Sequence, residues 1–230
     1  MLRKIKFLIK IKAPKEIFIA HLKHFFFEKI TKLQKLKEKN KHLLFLRNKK
    51  ITIDWFSKNC YHFLYIKKFI KKNFNYLEIG SFEGNSLMYV LKNFNTNLVC
   101  AVDTWTGSEE HQNLDMELTE NNFNYNLKEF VNKFTKEKKT SDEFFKTNKL
   151  YFDLIYIDGN HEYKQVLKDC KNSWRILNKN GIMIFDDYFW EYYSDIFKNP
   201  GYAINHFLQI IKNQYKVILV TNTKVFIKKI

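Results

Sequence analysis

Residues 77–86 read LEIGSFEGNS, and this short stretch decides the fold. An apolar run closes at Gly80, a second glycine follows at Gly84, and a helical pattern opens at Asn85 and Ser86, which is a strand passing through a tight turn into a helix. Glycine lets a backbone bend sharply and lets a ligand come close to it, and a helix start offers N–H groups that have no partner inside the helix. Gly80, Ser81, Phe82, Gly84 and Ser86 are therefore candidate ligand contacts. Phe82 stands where a dinucleotide-binding turn needs its middle glycine, so a pyrophosphate cofactor is disfavoured.

Outward from this turn, short apolar runs alternate with helical segments. YLEI is followed by a helix over about 84–94, then LVCAVD (98–103), FDLIYID (152–158), a helix over about 162–177, GIMIFDD (181–187) and a helix over about 202–212. YKVILV (215–220) and KVFIKK (224–229) end the chain, joined by Thr221 to Thr223 as an antiparallel hairpin. This order predicts an α/β fold with a Rossmann-like, doubly wound, mostly parallel seven-stranded sheet. LIYI and IMIF lack polar alternation, as strands covered on both faces do. Between residues 114 and 149 a third strand is required, and 130–134 is the candidate.

Two groups of carboxylates fall at strand ends. Glu78 precedes Gly80 by two residues, and Asp103 ends the next strand, where an acid suits the hydroxyls of a ribose. Farther on, Asp158 ends one strand, His161 lies three residues beyond it, and Asp186 and Asp187 end the next. Three carboxylates converging in this way repel one another, and a hard divalent cation such as Mg²⁺ relieves the repulsion with oxygen ligands. A cation together with a nearby base also makes a hydroxyl a workable nucleophile, and His161 is placed to be that base.

LEIGSFEGNS followed by VCAVDTWTGSEEH (99–111) resembles the cofactor-binding half of class I S-adenosylmethionine methyltransferases. The string IDGNHEYKQVLKDCKNSWRILNKNGIMIFDDY (157–188) is similar to the metal-dependent O-methyltransferases that act on sugars and other small molecules, the macrocin and mycinamicin types among them. The resemblance covers roughly residues 54 to 210. It implies an S-adenosylmethionine site at Glu78, Gly80 and Asp103, a metal held by Asp158, Asp186 and Asp187, and His161 as general base, with Asp158 beside the acceptor hydroxyl. In KKTSDEFF (138–145), Ser141 and Asp142 are the implied adenine contacts. The family's Gly-Gly before the fifth strand is Asn180-Gly181 here, and Asn also tolerates left-handed backbone angles. Trp105 and His111 follow the second strand, where they would shape the acceptor pocket or anchor the loop.

The net charge of +16 is unevenly placed. Residues 1–75 hold 21 Lys or Arg against four acids, Glu16, Glu28, Glu38 and Asp54, whereas residues 76–230 are near neutral. Residues 1–53 are thus expected to be a basic helical extension before a catalytic domain at 54–230. Ile17, Phe18, Leu22, Phe25, Phe26, Ile30, Leu33 and Leu36 recur at helical spacing within 15–46, predicting an apolar face. A second helix is expected over 54–72, capped by Asp54 and burying Trp55, Phe56, Phe63, Ile66 and Ile70.

The extension would cap the sheet, pair with a second subunit as a homo-oligomer, or lie through residues 1–50 on an anionic membrane surface or an acidic partner. A nucleic-acid-directed methyltransferase is the rival reading. The acidic site and the mere three arginines, Arg3, Arg47 and Arg175, weigh against it and favour a small-molecule acceptor bearing a hydroxyl. No apolar run reaches the roughly 18 residues of a membrane span, and the N-terminus lacks a secretory pattern, so a cytoplasmic location is expected. Cys60, Cys100 and Cys170 fit neither a disulfide framework nor a zinc pattern and are expected to be ordinary thiols.

Overall fold

The computed structural model describes residues 2–230. Seven strands form one sheet: β1 (Phe74–Ile79), β2 (Thr96–Asp103), β3 (Thr135–Lys138), β4 (Phe152–Ile157), β5 (Leu177–Phe185), β6 (Tyr215–Val220) and β7 (Val225–Lys229). Their order is β3-β2-β1-β4-β5-β7-β6. This is the doubly wound arrangement that the alternating pattern predicts, with the last two strands antiparallel. The chain gathers into two compact units, Ile30–Asn148 and a second made of the segment ending at Lys29 with Lys149–Ile230.

In the unit Ile30–Asn148, β1 pairs with β2 in parallel, Leu77 opposite Cys100 and Ile79 opposite Val102, and β2 pairs with β3. Helix α5 (Asn85–Asn93) follows the glycine turn and is buried along most of its length because Leu87, Met88, Val90 and Leu91 leave it no wholly polar face. The third strand is not at 130–134. Residues 128–133 form a 3-10 turn, and the strand is Thr135–Lys138, TKEK, with no hydrophobic run to mark it. Its position at the sheet edge explains this, since an edge strand needs apolar side chains least and charge protects it. Lys136 and Lys138 both pair with Glu120 of α6 (Met116–Leu127), at 2.6 and 2.5 Å.

The expected helix over 54–72 is broken into three pieces, a 3-10 turn at Ser57–Asn59, α4 (Cys60–Tyr65) and a second 3-10 turn at Ile66–Lys68. Asp54 accepts the Ser57 N–H at 2.8 Å, but the residue in the cap position of the first piece is Phe56, which gives no side-chain cap. Phe56, Phe63 and Ile66 are buried, whereas Trp55 is half exposed. The single helix expected near 15–46 is two, α2 (Lys15–Ile30) and α3 (Lys32–Leu46), separated at Thr31.

The apolar face predicted for these helices does not enter the core. Of its residues Ile17 is buried, while Leu22, Phe25, Phe26, Ile30, Leu33 and Leu36 are exposed. On α3 the inward stripe is Glu38, His42 and Leu46, one turn apart. A polar lock explains this choice: Tyr89 of α5 donates to Glu38 Oε1 at 2.8 Å, and His42 Nε2 meets Asn85 Oδ1 at 2.7 Å. Buried polar groups with specific partners set the rotation of a helix more strictly than apolar periodicity does.

In the other unit, β4 pairs with β5 in parallel, Ile155 opposite Met183 and Ile157 opposite Phe185, and β5 pairs with β7 antiparallel. Every residue of β4 is buried, as is Gly181–Phe185 of β5. Helices α8 (Tyr163–Ile176) and α9 (Pro200–Ile210) belong to this unit, together with α1 (Leu2–Lys10) and α2. All three cysteines are buried and none is disulfide-bonded. Among the described residues no helix is long and apolar enough to cross a membrane.

Proline opens α9, where its missing N–H costs nothing, and Gly201 follows because a Cβ there would lie 2.3 Å from the Tyr188 carbonyl oxygen. Backbone cannot yield as a side-chain tip can. Gly201→Ala is expected to lower unfolding stability by about 1–3 kcal/mol, read as a shift of the urea midpoint, and an unchanged midpoint would show that α9 slides freely.

Candidate active site

The turn after β1 is built around one carboxylate. Asp103 Oδ2 accepts the backbone N–H groups of Ser81 and Phe82, both at 2.9 Å, and its Oδ1 accepts that of Trp105 at 2.8 Å. Three residues of the turn, Gly80, Phe82 and Gly84, have left-handed φ of 84°, 47° and 78°. Glycine adopts such angles freely, whereas Phe82 is strained and is held by what surrounds it. Trp105 Nε1 donates to the Phe82 carbonyl at 2.9 Å, and the Phe82 ring packs against Trp55 and His111. Gly84 tolerates no side chain, since a Cβ would fall 2.3 Å from Leu127 Cδ2.

Glu78 is fully buried. It accepts the Tyr76 hydroxyl at 2.5 Å and the Ser86 hydroxyl at 3.0 Å, which ties β1 to the first turn of α5. Glu78, Gly80, Ser81, Phe82, Gly84, Ser86 and Asp103 thus form one constellation. The Lys139 N–H donates to the Asp103 carbonyl at 3.0 Å, and Ser141 and Asp142 follow as the first residues of α7 (Ser141–Thr147), capped by Thr140. Trp105 is a buried anchor, and His111, farther along the same loop, is half-buried. Sequence reading missed Glu83, which is buried and accepts the Thr52 N–H, the Thr52 hydroxyl and the Asn122 amide, fixing the turn from behind.

The second constellation lies wholly within the other unit. Asp158 follows β4, and Asp186 and Asp187 follow β5; the Asp186 N–H extends the ladder to the Ile157 carbonyl at 3.0 Å. Asp187 then turns with φ 50°, so its carboxylate leaves the sheet in a different direction from that of Asp186. His161 sits in the loop before α8, its Nε2 3.2 Å from Asp187 Oδ2 and 3.7 Å from Asp158 Oδ1. The ring packs 5.0 Å from Trp190, which stacks in parallel on Tyr192.

Asp186 is engaged elsewhere. The buried ammonium of Lys224, the residue before β7, forms an ion pair with Asp186 Oδ2 and donates to the Tyr156 hydroxyl at 2.9 Å. That hydroxyl bonds to both Asp186 and Asp158, so its single proton is shared between two carboxylates. Burial would push the Asp186 carboxyl up, but Lys224, the Tyr156 hydroxyl and the Asp187 N–H outweigh it and hold the group below its ordinary value. Asp158 and Asp187 go the other way. Burial first, then the charge of Asp186, lifts Asp158 to about 6 and Asp187 to about 7.

This donor set fits a hard divalent cation. Ligand atoms of Asp158, His161 and Asp187 all lie within 4.8 Å of one another, and the direct ion pair of Lys224 is with Asp186, which leaves the oxygens of Asp158 and Asp187 to a cation. Tyr156 is masked in the sequence by the apolar run FDLIYI, although it stands two residues before Asp158 on the same face, and Lys224 is masked by the abundance of lysine in this chain.

Residues 77–188 match a family model described as a methyltransferase domain. An uncharacterized protein of Acanthamoeba polyphaga mimivirus is 27% identical over 120 residues, 52% of this chain and 54% of that protein, so the match spans about half the length of that relative. Among solved structures, an O-methyltransferase from Bacillus cereus in complex with SAH is 13% identical, with a TM-score of 0.54 over 93% of this chain and 100% of that one. An rRNA methylase from Streptococcus thermophilus is 8% identical, with a TM-score of 0.53 over 74% of this chain and 95% of that one. At such identities the likeness is one of fold, and its two bearers differ in acceptor. Residues 77–188, just under half of the chain, thus resemble a methyltransferase domain, and the sheet that carries them has the fold that these methyltransferase structures share.

Proposed function

We propose that the chain is a class I, S-adenosylmethionine-dependent methyltransferase that acts on oxygen, transferring the donor's methyl group to a hydroxyl of a small-molecule acceptor at the Asp158, His161 and Asp187 cluster. The observation that carries the reading is His161 Nε2 lying 3.2 and 3.7 Å from two carboxylate oxygens, outside the pair that Lys224 neutralises. A base so placed takes the proton of the acceptor hydroxyl, and the resulting imidazolium is stabilised by both carboxylates. The C–S bond of the donor breaks as the C–O bond forms, leaving a neutral thioether, and the proton remains on His161. Asp158 and Asp187 would hold a divalent cation of the Mg²⁺ class. When bound, such a cation lowers the cost of deprotonating the hydroxyl.

Asp186, expected from the resemblance to be a third ligand, is assigned a supporting role, because its oxygens are taken by Lys224, Tyr156 and the Asp187 N–H. Glu78, Asp103 and the Gly80–Ser86 turn are assigned to the donor. Asp103 spends three of its roughly four acceptor positions on backbone N–H groups, which leaves one for a ribose hydroxyl. The flat faces of Trp190 and Tyr192 beside His161 favour an acceptor with a sugar or aromatic ring. The acidic cluster and the near-neutral charge of residues 76–230 weigh against a nucleic-acid acceptor.

His161→Ala should bind S-adenosylmethionine in calorimetry as the parent does, yet lose activity about a hundredfold to ten-thousandfold on hydroxyl acceptors. Activity equal to the parent's would return His161 to a structural role. Asp187→Ala should abolish Mg²⁺ or Mn²⁺ binding while donor binding persists, and donor and metal lost together would count against two separate sites.

The lifted carboxyls carry a sign. Acids with folded values of about 6 and about 7 favour the fold fully below their unfolded value near 4, and that contribution fades as pH rises through 6 and 7. In EDTA, Tm should therefore fall between about pH 5 and about pH 8, and Mn²⁺ should raise it more at the higher pH. A metal-induced rise larger at the lower pH would contradict this. Lys224→Met should cost about 3–5 kcal/mol in unfolding stability by stranding Asp186, and adding Asp186→Asn should restore much of it. Additive losses in the double variant would show that the two groups do not act as a pair.

A further inference from the structure

The helices before β1 present their apolar side chains outward, and nothing in the methyltransferase reading uses them. On α2, His21 and His24 occupy buried positions, while Ile19, Leu22, Phe25 and Phe26 are exposed, Phe26 by 66%. Independently, α3 turns Glu38 and His42 inward and leaves Leu33, Leu36, Leu43 and Leu44 exposed, Leu33 by 78%. Exposed single apolar residues are ordinary on a protein surface, but a whole helix face of them requires an explanation. Two helices in two compact units repeat the same inversion.

Charge restricts what covers these faces. Exposed lysines alternate with the apolar residues, Lys15, Lys23 and Lys29 on α2 and Lys32, Lys37 and Lys41 on α3. The Lys29 ammonium lies over the Phe25 ring at 4.6 Å, so its stem covers apolar surface while its head stays wet. Of the acids on these helices, Glu38 is buried and Glu28 is half-buried beside His24, which leaves Glu16 as the exposed carboxylate. A second copy of the chain would bring like charges together, which is costly. Nucleic acid would satisfy the lysines but leave Leu22, Phe26, Leu33 and Leu36 in water. An anionic lipid surface satisfies both sets at once, because acyl chains take up leucine and phenylalanine while headgroup phosphates meet lysine.

We infer that each of these outward faces, that of α2 and that of α3 taken by itself, docks on an anionic lipid bilayer, the apolar side chains entering the headgroup boundary and the lysines pairing with lipid phosphates. The inference does not depend on the methyl acceptor. The residues concerned lie outside both constellations, so substitutions there leave donor binding intact.

The test is co-sedimentation of the full chain with vesicles of phosphatidylcholine alone and of phosphatidylcholine mixed equally with phosphatidylglycerol. Binding is expected to the mixed vesicles and to weaken with salt. The variant Leu22→Ser with Phe26→Ser, and separately Leu33→Ser with Leu36→Ser, should each lower partitioning by at least about tenfold, with circular dichroism melting and calorimetric donor binding unchanged. Lys23→Glu with Lys29→Glu should do the same through charge. Equal binding to both vesicle types, or variants that partition as the parent does, would overturn the inference. So would a dimer in analytical ultracentrifugation that the serine variants dissociate, or salt-sensitive RNA binding accompanied by no vesicle binding.

Discussion

A single buried ammonium organises the carboxylate end of β4 and β5. Removing a lysine from water is expensive, and the cost is offset only where the opposite charge is close and hydrogen bonds replace those lost to water. Lys224 meets these terms through Asp186 and Tyr156, so residues from the ends of β4, β5 and β7 are joined by side chains as well as by the ladder. The same pairing sorts three neighbouring aspartates into two kinds. One is paired directly with the ammonium, while the other two lie beside His161 and feel Lys224 only at a distance. The proposed chemistry rests on that division.

The glycine turn obeys a parallel logic with backbone in place of side chains. Asp103 collects N–H groups from the turn after β1 and from the loop after β2, and Trp105 closes on the Phe82 carbonyl. A loop with three left-handed residues would be disordered if it depended on propensity alone. Here the carboxylate and the indole hold it ready, so a ligand need not supply the ordering entropy. Phe82 shows the trade: its strained backbone places a ring against Trp55 and His111, a face that a glycine could not offer.

Sequence patterns disclosed the sheet wherever burial dictated composition. β4 and β5 lie in the interior, so FDLIYI and GIMIF could hardly be anything else, and the acids at their ends stood out against that background. The readings departed from the structure where composition was set by something other than burial. Apolar periodicity in 15–46 correctly marked helix but pointed to the wrong face, because Glu38 and His42 form specific bonds that no periodicity encodes. Lys224 was unreadable for a different reason, since one lysine among 40 basic residues carries no signal until the strands bring it to Asp186.

β3 was hidden from pattern reading by its charges, and those charges have a consequence of their own. An open sheet edge offers unsatisfied N–H and C=O groups to any passing strand, and partly folded chains aggregate along such edges. A strand approaching β3 would have to strip water from Lys136, Lys138 and Glu137 and disturb the bonds to Glu120. The sequence Thr-Lys-Glu-Lys thus works as a gatekeeper, ending the growth of the sheet on that side. A variant chosen to make this strand more strand-like, by placing valine or isoleucine there, would sharpen its secondary-structure signal and raise the risk of fibrillar assembly.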